Sequence, residues 1–167
     1  MRRSGIVAAL IQGLWFGAGA FLVFVAAPAA FGVAPSREVA GNVVGAMLAR
    51  WHVLALAAPL VLLLIEWKRH ELERTFRVVV LALALLFASG QVGADLRVRA
   101  MRFRSPTPIS QLSPSSPTRI AFGRLHGISM LLMALQVICA GLAVATGLPP
   151  ERKELPVAPA DYPPSSD

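Results

Sequence analysis

Apolar residues gather into four long runs, about residues 5 to 31, 45 to 66, 76 to 94 and 121 to 148, and charged residues are pushed to the ends of each run. A hydrocarbon layer about 30 Å thick is crossed by about 20 helical residues at 1.5 Å rise, so each run can span a bilayer. The pattern predicts an all-α fold, an integral membrane four-helix bundle. Breakers and caps place the connections. Pro28 weakens the first helix where it should leave the membrane. Ser36 can cap a helix that begins at Arg37 and continues into the second run, which Pro59 interrupts from inside. Glu66 to His70, with Trp67, reads as a membrane interface.

The third helix should outlast its apolar run, because no Gly or Pro stops it before Arg97, Arg99, Arg102 and Arg104, and that end should project from the membrane. Residues 105 to 118, rich in Pro and Ser, read as an irregular loop, and Ser116-Pro117 can start the fourth helix. Gly147 and Pro149-Pro150 end it, and residues 150 to 167 read as a disordered polar tail.

Composition agrees: 56% of the 167 residues are hydrophobic and 15% charged, which leaves one four-span domain over residues 1 to 149 and no second folded domain. The net charge of +7 sits at span ends rather than on one solvated face, which points to lipid headgroups and away from nucleic acid. The two sides of the membrane would carry eight Lys and Arg each, so the count does not orient the chain. Arg2 and Arg3 ahead of the first run favour an inner (plasma) membrane protein with both termini cytoplasmic. That run exceeds a signal peptide's apolar segment of about 7 to 15 residues and reads as a retained span. The expected partners are the bilayer and a second copy or another membrane protein. The single Cys139 excludes an intrachain disulfide and a Cys-only metal site.

Candidate chemistry centres on an echo. Arg50-Trp51-His52 begins the second span and Arg124-Leu125-His126 the fourth, and these spans run the same way, so the two histidines share a membrane side. The echo would suit two related helical hairpins. Asp95, Gln91 and Ser129 are the other polar residues near that side. His52 and His126 could serve as ligands to haem or a metal, and Met130 and Met133 continue a helical stripe from His126 that would suit copper. The plainer reading is a histidine bonded to a neighbouring helix and methionines that pack. Gly13-x-x-x-Gly17 and Gly141-x-x-x-Ala145 are expected to bring the first and fourth spans together, with Gly127 also at a helix contact. No phosphate loop, His-Glu-x-x-His or nucleophile elbow occurs, so no enzyme activity is expected.

Trp15-Phe16-Gly17, Pro28-Ala29-Ala30-Phe31, Ala40-Gly41, Trp51-His52 and Arg124-Leu125-His126-Gly127-Ile128-Ser129, in this order over residues 8 to 146, resemble the transmembrane protein 205-like family. The resemblance implies a four-helix integral membrane protein and marks His52, Arg124, His126, Gly127 and Ser129 as family-type positions. It supplies no catalytic activity, and the loop at 105 to 118 lies outside its pattern. The expected role is therefore a non-enzymatic membrane protein without a cofactor, serving solute or metal tolerance or acting as a subunit of a membrane assembly. The alternative is a haem- or metal-binding redox protein using His52 and His126.

Overall fold

The computed structural model describes residues 3–67 and 74–147. The interface expected at Lys68 to His70, the helix end at Leu148 to Pro150 and the polar tail lie outside the described residues, as does Arg2. The elements are α1 (Arg3–Phe21), a π-helical segment (Leu22–Ala26), α2 (Ala27–Val33), α3 (Arg37–Trp67), α4 (Arg74–Arg104), a 3-10 turn (Ile109–Gln111) and α5 (Pro117–Gly147). Four stretches are long and apolar enough to cross a membrane, Gly5–Val33, Arg37–Trp67, Thr75–Arg104 and Pro117–Gly147. The protein is a multi-pass membrane helical bundle. Each helix packs on its chain neighbour, and α5 closes the ring on α1.

The first span departs from expectation at Pro28. The helix continues to Val33 because the chain widens into i→i−5 bonding just ahead of the proline, with the Ala27 amide donating to Leu22 O. Pro28 then falls in the first turn of α2, where a missing amide hydrogen costs least. The other boundaries follow the sequence. Ser36 Oγ accepts the amide of Val39 at 3.2 Å and caps α3, α4 carries on to Arg104, and α5 starts at Pro117. At 31 residues each, α3, α4 and α5 are about 46 Å long, more than a hydrocarbon core needs.

Small residues fill the inside. Ala55, Ala84, Ala88 and Ala140 are fully buried beside Trp15, Trp51 and Leu62, while Leu10, Phe24 and Leu86 point outward, where lipid receives them. Glycine packing is redistributed from the expected positions. A Cβ at Gly13, Gly17 or Gly127 would meet nothing within 4 Å, so these three face open space and make no helix contact. The reason is rotational: Gln12, Trp15 and Gly19 hold the buried face of α1, and Gly13 and Gly17 lie off it. Gly141 does meet α1, where an added Cβ would stand 3.2 Å from Phe16 Cε2. A tighter contact than that at Gly141 is at Gly19, whose added Cβ would lie 2.7 Å from Trp51 Cη2 and 3.0 Å from Val137 Cγ2.

Thermal unfolding in detergent should therefore separate two glycines that look alike in the sequence. Gly19→Ala is expected to lose about 1–3 kcal/mol through overpacking against Trp51. Gly17→Leu should unfold within about 0.5 kcal/mol of the unaltered chain. Equal losses at the two positions would contradict the packing described here.

Candidate functional site

A lipid-embedded bundle has to satisfy its polar side chains internally, and α4 and α5 carry most of them. Asp95 sits on α4 between α3 and α5. His52 Nε2 of α3 approaches its Oδ2 at 2.9 Å, somewhat off the line of an ideal hydrogen bond, and Ser129 of α5 donates from Oγ to its Oδ1 at 2.6 Å. His52 and Asp95 are 12% and 13% exposed, so this three-helix cluster lies inside the bundle with a narrow opening. One turn along α4, Gln91 Oε1 accepts from Gln136 Nε2 at 2.5 Å, and both amides are fully buried. At the other end of the seam, Arg77 Nε lies 3.5 Å from Glu66 Oε2, and Arg77 Nη1 donates to the carbonyl of Thr146 at 3.2 Å.

The opening above Asp95 is a vestibule of about 620 Å3. Arg37, Glu38, Arg99, Arg102, Arg119 and His126 supply its polar wall, and Phe31, Leu48, Val98, Ile109 and Phe122 its apolar one. The loop from 105 to 110, expected only to be irregular, forms one side of it, with Ile109 buried. Arg102 bonds Asn42 Oδ1 at 3.1 Å and lies 5.3 Å from the Phe122 ring centroid. Arg99 donates to Gly45 O at 3.1 Å and Arg119 to Leu112 O at 2.6 Å.

Of the residues singled out in the sequence, His52, Asp95 and Ser129 meet directly, and Gln91 lies one turn below. His126 does not join His52 inside the bundle. It is exposed and stacks on Phe122 with centroids 6.1 Å apart, at the vestibule wall. Arg124 is exposed on the outer surface of α5, and Arg50 is exposed and bonds its own helix at Ala46 O. The proposed stripe divides, since Met130 is 62% exposed while Met133 and Gln136 are buried. The buried face of α5 runs instead through Ser129, Met133, Gln136 and Ala140. Among the described residues no three His, Cys, Asp or Glu side chains converge on one point. His52 Nε2 is directed at Asp95 while His126 stacks on Phe122, so the two imidazoles point to different partners.

Two periodicities in the sequence mark these faces. Gln91, Asp95, Arg99 and Arg102 recur at spacings of four, four and three, which puts them on one face of α4. Gln136 belongs with Ser129 at a spacing of seven, two turns apart on the same face of α5.

Residues 10–94 match a family described as a domain of unknown function (DUF4149). No curated protein and no solved structure matches the chain.

Two pairs can be tested by double-mutant cycles on unfolding free energy. His52→Ala should cost about 1–3 kcal/mol by leaving the Asp95 carboxylate short of a partner, and adding Asp95→Ala should recover part of that loss. Gln91→Leu should cost about 1–3 kcal/mol because it leaves the buried Gln136 amide with only the long bond from Nε2 to Leu132 O, at 3.4 Å, whereas Gln91→Leu with Gln136→Leu should cost less than the single change. Additive losses would show that these partners are not coupled.

Proposed function

The chain belongs to the DUF4149 family, whose match covers half of its length, and on that premise we propose that it is a non-enzymatic, solute-handling protein of the inner membrane. The finer likeness, to the transmembrane protein 205-like family, belongs to the same reading. So does the orientation with both termini cytoplasmic, which puts the vestibule on the far side. The observation that carries the proposal is Asp95, a largely buried carboxylate at the polar end of the third apolar run, held by His52 and Ser129 at the floor of an open cavity. Such a residue is expensive in a membrane, and its usual place is along a water-accessible solute or proton route.

The same geometry argues against acyl-transfer chemistry. A nucleophilic serine needs a base to take its proton, commonly an imidazole, but Ser129 Oγ donates to Asp95 and His52 Nε2 lies against the other carboxylate oxygen. The route is also one-sided. From Gln91 down to Arg77 the buried face of α4 offers Ala88, Ala84, Leu81 and Val80, with no polar side chain to carry a proton or an ion. A solute therefore enters and leaves through the vestibule unless the helices move.

Accessibility of Asp95 is the test. A water-soluble carbodiimide added to sealed vesicles at mildly acidic pH should modify Asp95 from one face only, read by peptide mass. Modification should vanish in Asp95→Asn and increase in His52→Ala, which opens the carboxylate. Protection from both faces would refute an aqueous route to the site.

A further inference from the structure

We infer that the vestibule binds a phosphate group, gripped by Arg99, Arg102 and Arg119. This deepens the solute-handling reading, on which it rests, by naming the chemistry of the ligand. The first ground is charge. Four arginines line the cavity, Arg37, Arg99, Arg102 and Arg119, against two carboxylates, Glu38 and Asp95. Asp95 is already engaged by His52 and Ser129. Among the described residues, no carboxylate is in ion-pair contact with Arg99, Arg102 or Arg119.

The second ground is unspent donor capacity. A guanidinium has five N–H donors, yet each of these three has one hydrogen bond, to a neutral oxygen: Gly45 O, Asn42 Oδ1 and Leu112 O respectively. Those bonds hold the three guanidinium groups, and the Phe122 ring also holds Arg102. Arg99 feels the charge of Asp95 one turn away, and Arg102 and Arg119 have no carboxylate partner among the described residues. A pre-positioned cluster of guanidinium groups with free donors matches the several acceptor oxygens of a phosphate. The third ground is the rest of the wall. Phe31, Leu48, Val98, Ile109 and Phe122 are apolar, and the mouth lies where α4 passes from its apolar run into Arg97 to Arg104, at headgroup depth. An anion with no apolar part would leave this lining wet. The shared chemistry is a phosphate, and its source is either a lipid headgroup or a free phosphate.

The test uses the purified full chain in dodecyl maltoside, with thermal unfolding followed at constant ionic strength. The probes are dihexanoyl phosphatidic acid, sodium phosphate and, as a zwitterionic control, dihexanoyl phosphatidylcholine. Dihexanoyl phosphatidic acid should raise Tm saturably and the control should not. Arg102→Gln and Arg119→Gln should each weaken the apparent affinity about tenfold, the loss expected for one charge-assisted bond to phosphate, and Arg102→Lys should weaken it less. If Arg102→Gln fails to fold for want of its Asn42 and Phe122 contacts, Arg119→Gln carries the comparison. Stabilisation by phosphatidic acid alone assigns the site to a lipid headgroup, and equal stabilisation by sodium phosphate assigns it to a free phosphate. No saturable shift with either anion, or shifts indifferent to both Gln variants, would overturn the inference. Carbodiimide modification of Asp95 from one face would in that case still stand, and only the identity of the solute would be lost.

Discussion

A carboxylate buried between helices has to be met by its own protein, and Asp95 is met from both sides, by His52 of α3 and by Ser129 of α5. Three of the four spans thus depend on one side chain. Lipid offers the helices little reason to prefer one another, since an apolar face is as content against acyl chains as against Leu or Val. Polar contacts and close packing of small residues therefore carry the specificity. Deeper in the bundle than Asp95 the core closes through Ala55, Ala84, Ala88 and Ala140, whose size lets backbones approach, and Trp15 and Trp51 fill what remains.

The four spans were legible because the solvent dictates them: long apolar runs with charged ends have few alternatives in a bilayer. Caps were legible for the same local reasons, as at Ser36 and Pro117. What could not be read was rotation. Gly13 and Gly17 share a face, but no local rule says whether that face meets a helix or lipid, and here it meets no neighbour. The role of Gly19 was not legible because it depends on Trp51, which lies on another span. Pro28 misled for a different reason. A helix can absorb a proline by loosening the preceding turn, and the sequence around Leu22 to Ala26 carries no local mark of that.

The candidate site was half legible. His52, Asp95, Ser129 and Gln91 were all singled out as polar residues at a shared depth, which chain direction alone can supply. The pairing of His52 with His126 failed because like sequence neighbours do not confer like orientation: one imidazole turns inward to Asp95 and the other outward to Phe122. The vestibule was invisible in the sequence because its wall is assembled from the end of α4, the start of α3, the start of α5 and the loop between 105 and 110.

The polar contacts between α4 and α5 have one more effect. Arg77 meets Thr146, Gln91 meets Gln136 and Asp95 meets Ser129, at steps of fourteen and four along α4 but ten and seven along α5. Unequal steps work like the notches of a key. Slide one helix past the other by a turn and Gln91 can find Ser129, but Gln136 then loses Gln91 and Arg77 leaves the Thr146 carbonyl. Two apolar helices that could otherwise glide against each other in lipid are left with a single vertical alignment, and the floor of the vestibule inherits its position from that alignment.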